Sequence, residues 1–531
     1  MTGGLSLSSY IKGAGIIATG GIIAKLLGLF FKVPIGRILG DFGFGLYYNS
    51  YNIYNLLLTV SIVGVPVAIS KMISERASVK NYYGLYSVFK LSMTVLLLIG
   101  GISSAVLYFG AHWIIDIANW HPDTYYAIIG LSAAPFFVSI MCAIRGFFQG
   151  MQMMTPSAIS QIIESIVRVI FGIGLCLYLT QSYGLAMGAG GASAGATIGA
   201  ILTTLFLLFA LSLFMKSFRK NINESKKIFK KESNRAILKR LTQIAVPVTL
   251  ASAVVSLFGI INSFTYVPRL QVAGFNIDTA TSMFGDFGRA QTMINVPLTF
   301  SAAMVITLVP AISASFALND IKSIRRKTEL GIRVMLLISL PCAVGLSIYA
   351  DPIFELLFPA SQYGGEILKY LSYSTVFIMI TNTLQSVLQG LDKFMVPVKN
   401  LFIGLIVKFI LNYIFIAIPS INIYGLVISN IGAYAVSTLL NYISIKKCLK
   451  IKLNINQTVV KPLTASLIMA IVGMKIFNVV STTTGENIGV LISITLCVVV
   501  YFVALILLKG LTREELLLLP GGRKIIGMFK K

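Results

Sequence analysis

Acidic side chains are scarce in this chain: 18 Asp and Glu stand against 43 Lys and Arg in 531 residues. Charged residues of both signs make up only 11% of it, while 56% are hydrophobic. A water-soluble protein of this length needs far more polar surface to cover its cores, so soluble classes are excluded. Motifs for chemistry are missing as well. No GxxxxGK[ST] loop or HExxH occurs, which removes the common nucleotide hydrolases and metalloproteases. The five cysteines (Cys142, Cys176, Cys342, Cys448 and Cys497) are scattered, mostly inside apolar runs, without a CxxC pair or Cys/His cluster. They read as small packing residues. The two histidines, His112 and His121, share a Trp-bearing loop with Asp116 and Asp123. Such a group could hold a metal, but interfacial anchoring is the plainer reading, and no metal site is assigned. The N-terminus has no basic start, short apolar core and cleavage site, so the first helix is expected to act as its own insertion signal.

What is present instead is a series of long apolar runs with charge confined between them. That is the pattern of an all-α polytopic membrane protein, since only helices and closed barrels satisfy the backbone in lipid. The runs approach 20 residues without period-2 alternation, which argues against a β-barrel. They divide into about fourteen spans of roughly 20 residues each: 11–33, 46–70, 84–110, 124–144, 156–180, 185–215, 241–266, 290–316, 330–350, 367–390, 396–418, 422–445, 459–480 and 487–509. With both termini in the cytoplasm, inner segments hold about 33 of the 43 Lys and Arg and outer ones about six. The net charge of +25 therefore reads as a topological signal rather than a nucleic-acid footprint. The most basic inner loop, Lys216 to Arg240, is an expected contact for anionic lipid.

The chain also echoes itself. FKVPIGRILG (Phe31 to Gly40) returns as TYVPRLQVAG (Thr265 to Gly274), and VGVPVAIS (Val63 to Ser70) as TLVPAISAS (Thr307 to Ser315). FFQGMQMMTP (Phe147 to Pro156) returns as VLQGLDKFMVP (Val387 to Pro397). Each offset is about 240 residues, the length of six helices, so the halves share orientation and suit an axis along the membrane normal. The expected organisation is an N-lobe over 1–215, a basic linker over 216–240, a C-lobe over 241–447, and two extra helices with a basic tail over 448–531. Two pseudo-symmetric six-helix lobes suit alternating access. Pro34, Pro66, Pro268, Pro297 and Pro310 fall within or beside the echoed segments or the eighth span and are candidate hinges.

Ionisable residues at membrane depth are costly and mark function. On the first helix Ala14, Ala18, Gly21, Lys25, Gly28 and Lys32 recur at spacings of three and four, forming one face of small residues and lysines. Lys25, nearest mid-helix, is the prime candidate to face a cavity; Lys32 and Arg37 lie nearer the outer end. The fifth span presents Ser157, Gln161, Glu164 and Arg168 on one face, with Glu164 and Arg168 spaced for an internal ion pair. Lys408 lies one repeat beyond Arg168, which suggests a second cation at matching depth. Asn49 and Asn52 in YYNSYNIYN add uncharged hydrogen-bonding groups, the eighth span contributes Gln291 and Asn295, and Asp286 and Arg289 read as an outer-edge pair. The tally is cationic and asks for an anionic substrate such as a phosphate or pyrophosphate.

Two segments carry a resemblance. GLYYNSYNIYNLLLTVSIVGVPVAISKMISER (Gly45 to Arg76) and RGFFQGMQMMTPSAISQIIESIVRV (Arg145 to Val169) closely resemble the stage V sporulation protein B family. That family shares the MOP superfamily with MurJ-type lipid II flippases, Wzx flippases and MATE exporters. The resemblance implies a MurJ-like fold of fourteen helices in two lobes, and movement of an undecaprenyl-pyrophosphate-linked saccharide across the cytoplasmic membrane. It also implies that basic residues of the first helix, matched here by Lys25 and by Lys32 and Arg37, hold the pyrophosphate, and that the last two helices form a groove for the lipid tail. The chain departs from MurJ proteins before Pro297, where Gln291, Thr292 and Asn295 replace an acidic–basic motif. The expectation is a non-enzymatic, cofactor-free flippase for a peptidoglycan precursor, acting as a monomer and driven by a Na+ or H+ gradient or the membrane potential. The rivals are a MATE-like cation-coupled drug exporter and a polytopic prenyl-phosphate-dependent glycosyltransferase.

Overall fold

The structure, a computed structural model, describes residues 7–62, 64–230, 232–359, 361–451 and 453–511, excluding the side chains of 7–20, 22, 25, 61 and 62. Every element among the described residues is helical. The chain runs through α1 (Leu7–Ile62), α2 (Gly64–Ser78), α3 (Tyr82–Phe109), α4 (Ala111–Ala118), α5 (Thr124–Ser132) and α6 (Ala134–Gly150). It continues through α7 (Met154–Tyr183), α8 (Leu185–Ile228), α9 (Asn234–Val272), α10 (Ile277–Ala317), α11 (Ile321–Ile348) and α12 (Ala350–Leu357). Then come α13 (Gly364–Leu371), α14 (Ser374–Gly390), α15 (Met395–Phe415), α16 (Tyr424–Leu449), α17 (Lys461–Thr484) and α18 (Glu486–Leu507).

Twelve helical stretches among the described residues are long and apolar enough to cross a bilayer. Large apolar side chains stay exposed along them, as Phe402, Ile406 and Phe409 on α15 and Leu491, Val498 and Val499 on α18 illustrate. In a lipid-facing helix this exposure carries no penalty, because hydrocarbon is as apolar as leucine. The count differs from fourteen at two places. The first stretch, Leu26–Ser78, contains what reads in the sequence as the end of one span and all of the next. The span read at 367–390 is two helices, α13 and α14, and lies outside the twelve.

The first joint is made by a glycine. Helix α1 passes through Pro34, where the sequence suggests a gap, and departs from helical geometry at Gly40 (φ 65°, ψ −169°). That conformation is essentially closed to residues with a Cβ.

The repeat reappears element by element. Helices α3 and α11 are both 28 residues long, α4 and α12 both 8, and α6 and α14 both 17. Their boundaries are about 240 residues apart. Local chemistry repeats with them. Asn81 accepts from the Gly84 N–H at the start of α3, and Asp320 from the Ser323 N–H at the start of α11. Gln152 (φ 60°) and Asp392 (φ 61°) adopt the same left-handed turn after α6 and α14.

By compactness the chain divides into one unit of Met1–Arg289 with Asn412–Ile423, and a second of Ala290–Leu411 with Tyr424–Lys531. Compactness thus cuts inside α10 and α15, whereas the sequence repeat turns over in the basic linker. The first unit packs Ile69, Ile73, Ile144, Phe147 and Phe148 into its core, with Ile237 and Leu241 of α9. The second buries Leu308, Ile312, Leu384, Val387 and Leu388, largely the same positions one repeat later.

Candidate functional site

The site is built within the first unit from α1, α6 and α7. Helix α1 lies along α7, with the Phe31 ring against Gly172, where a Cβ would stand 2.6 Å from a ring carbon. Of the small-and-basic face, a Cβ at Gly21 would sit 3.9 Å from the Gln161 Oε1, and one at Gly28 would meet none of the described residues within 4 Å. The face therefore meets α7 at Gly21 and stands clear of the described residues at Gly28. Lys32 comes one turn later, half-buried, with its ammonium 5.3 Å from the centre of the Tyr51 ring. The Lys25 side chain lies outside the described residues. Arg37 is exposed.

Across from Lys32, α7 supplies the predicted pair: Arg168 Nη2 donates to Glu164 Oε1 at 3.1 Å. A third member completes the cluster. Arg145 of α6 donates to the other Glu164 oxygen at 3.0 Å and through Nε to the Ser160 hydroxyl at 2.7 Å. Ser157, predicted on the same face, is fully buried, and its hydroxyl reaches toward the Arg145 carbonyl at 3.5 Å. Two guanidinium groups thus share one carboxylate, and Lys32 adds a third cation within electrostatic range of Arg168.

Arg145 was not singled out by the sequence reading. Its only sequence signal is a lone cation in the otherwise uncharged helix Ala134–Gly150.

The second segment of α1 lays a tyrosine stripe beside this charge. Tyr47 and Tyr51 stack at 5.6 Å, and Tyr51 and Tyr54 follow at 6.0 Å. Spacings of four and three put these rings on one helix face. All three hydroxyls lie within electrostatic range of Arg168. Several polar atoms here are buried without a partner: Arg168 Nε, Gln161 Oε1 and the Tyr54 hydroxyl. Buried polar groups are normally paired, so such a concentration marks a place where another molecule can complete the bonding.

The remaining predicted residues go elsewhere. Asn52 donates to the Ser263 hydroxyl of α9 at 2.8 Å, and Asn49 is fully buried with neither amide atom paired. Asp286 and Arg289, read from sequence as an outer-edge pair, are instead interior, 0% and 2% exposed in their side chains and bonded at 3.1 Å. Arg289 also donates to the Gly36 carbonyl at 2.9 Å. Glycines make this depth possible. A Cβ at Gly45 would be 2.2 Å from the Thr281 carbonyl and one at Gly285 1.9 Å from that of Asp41, so α10 presses directly on α1.

Lys408 belongs to the second unit, where it is 1% exposed and donates to Asn430. It repeats Arg168 in register but is sealed between α15 and α16. Gln291 is half-buried and Asn295 exposed, both also in that unit. Pro66 opens α2, while Pro34, Pro268, Pro297 and Pro310 lie inside helices. His121 bonds across to Asp278 (3.2 Å) and lies 3.7 Å from Asp123, while His112 stacks on Tyr125 at 4.4 Å. The five cysteines are all free thiols.

Twelve apolar spans among the described residues, an internal repeat of six helices and a half-buried cationic cluster among them define the class, a multi-pass membrane protein with the fold of the MOP-superfamily transporters. The chain belongs to the polysaccharide biosynthesis protein family, whose model matches residues 10–316. The MatE model matches residues 287–414. Stage V sporulation protein B of Bacillus subtilis (strain 168) is 25% identical over 526 residues, covering 98% of this chain and 100% of its own. Lipid II flippase MurJ of the same organism is 26% identical over 462 residues, 83% of each chain. Among solved structures, an inward-facing multidrug resistance MATE family transporter superposes with a TM-score of 0.66 at 17% identity, over 80% of this chain and 95% of that one. Lipid II flippase MurJ in an inward closed conformation gives 0.61 at 17% identity, over 92% and 97%.

Proposed function

We propose that this protein is a flippase that carries an undecaprenyl-pyrophosphate-linked saccharide, of the peptidoglycan-precursor kind, from the inner to the outer leaflet by alternating access. The observation that carries the reading is the excess of positive charge in the cluster that α1, α6 and α7 build: Lys32, Arg145 and Arg168 beside the carboxylate of Glu164. A cation inside a membrane bundle is stable only beside a counter-charge or a hydrated cavity. Pyrophosphate oxygens are acceptors only, and the cluster offers an ammonium, a guanidinium Nε and phenol hydroxyls. A cationic drug would meet the wrong sign of charge. The names of the relatives, one a lipid II flippase and one a sporulation protein, support the same substrate class.

In this reading Lys25, Lys32 and Arg168 hold the pyrophosphate and Arg37 extends the set toward the outer end. Lys408 drops out, because its ammonium is sealed and already engaged by Asn430. Both termini lie in the cytoplasm, the basic segment 216–240 contacts anionic lipid, and α17 with α18 guides the prenyl tail. The test is reconstitution in liposomes with labelled lipid-linked precursor, with and without an imposed potential. Lys25→Ala and Lys32→Ala are each expected to lower translocation at least about tenfold, the loss of one charge-assisted contact, with membrane insertion intact. Normal translocation by both variants would overturn the assignment.

A further inference from the structure

The Arg145–Glu164–Arg168 cluster is asymmetric, and the asymmetry suggests a division of labour. Arg145 is fixed. Its Nε is held by Ser160 and its Nη2 by Glu164, both on α7, so it clamps α6 to α7 whether or not a ligand is present. Arg168 is held more loosely. It makes one bond to Glu164, its Nε has no partner, and it stands toward the Tyr47, Tyr51 and Tyr54 hydroxyls and Lys32. Glu164 therefore has two guanidinium partners and needs only one to remain neutralised.

We infer that Glu164 is the resident anion of the empty site: it neutralises Arg168 while no substrate is bound, and a phosphate group displaces it from Arg168, leaving the carboxylate to Arg145. The inference rests on the pyrophosphate reading above and deepens it by assigning a role on the return step. A carrier must return its empty site to inward access through a state closed on both sides. Without a carboxylate beside it, Arg168 would enter that closed state next to Lys32 as isolated charge, which is costly at membrane depth. The net charge of the cluster is the same whichever arginine Glu164 faces, but its bond to Arg168 keeps a counter-ion beside that guanidinium, and the anionic substrate takes over that bond. No bond is made or broken covalently; one charge-assisted hydrogen bond replaces another. Glu164 is a positioning residue in this scheme, since it acts through Arg168 and does not touch the substrate.

A competing anion weakens ligand binding and eases return, so its removal separates the two. The full chain is purified and titrated calorimetrically with inorganic pyrophosphate and with undecaprenyl pyrophosphate, and flipping is measured separately in liposomes. Glu164→Gln is expected to bind both phosphoanions about tenfold more tightly than wild type, the size of one charge-assisted competitor, yet to flip several-fold more slowly. Glu164→Asp, which keeps the charge, is expected to return both quantities toward wild type. If Glu164→Gln misfolds, the double variant Arg145→Gln/Glu164→Gln, which removes one charge of each sign, is expected to show the same tighter binding and slower flipping. Binding that is equal or weaker without the carboxylate would overturn the resident-anion role and leave the pyrophosphate reading standing. Failure of wild type to bind either phosphoanion would overturn the reading itself.

Discussion

Lys32 is matched by an aromatic face rather than a carboxylate, 5.3 Å from the Tyr51 ring. A cation–π contact of that kind is worth roughly 0.5–2 kcal/mol, less than a buried ion pair, so the ammonium remains available to a stronger partner. The open space at Gly28, one turn away, supports the same view. Gly28→Cys in a cysteine-free background is expected to react with a water-soluble thiol reagent, and full protection in every condition would argue against a hydrated face. Asp286 behaves in the opposite manner. Its bond to Arg289 is fully interior, and removing one partner of such a pair costs about 3–5 kcal/mol. Asp286→Asn is therefore expected to lower the thermal unfolding midpoint sharply, read by fluorescence in detergent, where Glu164→Gln on the half-buried cluster lowers it less. The Glu164–Arg168 pair was legible from sequence because an i,i+4 spacing makes neighbours within one helix. Arg145 was not, since it meets Glu164 only after the chain has turned from α6 into α7.

At the scale of the element, the joint in α1 shows how two residues that both interrupt helices act differently. Pro34 removes one donor and crowds one carbonyl, which the helix absorbs. Gly40, with ψ near 180°, turns the backbone out of helical geometry altogether. No neighbour lies within 4 Å of where its Cβ would be, so the restriction is conformational rather than steric packing. Gly40→Ala is expected to cost about 1–3 kcal/mol, the usual strain of such a conformation, while Pro34→Ala is expected to be tolerated; thermal unfolding of the two variants side by side decides it. The run Leu26–Ser78 hid the position of this joint, because apolar periodicity says where helix is favoured and little about where a single residue leaves it.

At the scale of the whole molecule, the repeat makes a quantitative claim. Gly150 and Gly390 occupy matching ends of α6 and α14, and an added Cβ would meet Ile73 and Ile312 respectively, each at 2.7 Å. Gly150→Ala and Gly390→Ala are therefore expected to destabilise by similar amounts, about 1–3 kcal/mol each for overpacking; strongly unequal effects would mean that the halves have diverged in packing. Orientation belongs to this scale too. Cysteines replacing Trp113 and Lys227 in a cysteine-free background are expected to be labelled from opposite sides of the membrane, Trp113→Cys from outside and Lys227→Cys from inside. Labelling of both from one side would contradict the charge asymmetry of the loops.

The sequence by itself determined the solvent, the helical class, the order of the spans and the six-helix repeat. These follow from apolar run length and from similarities that survive without contacts. It also pointed to the sign of the candidate site, because the ionisable residues at membrane depth on the first and fifth spans are mostly cations. Only the tertiary structure decided which cations are free to act. It buried Arg289 and Lys408 against partners, and it tied Arg145 to Glu164, which leaves Arg168 the more loosely held of the two. The physical reason is that charge at membrane depth is governed by what lies within a few ångströms across helices, and close approaches at Gly45, Gly172 and Gly285 set those distances.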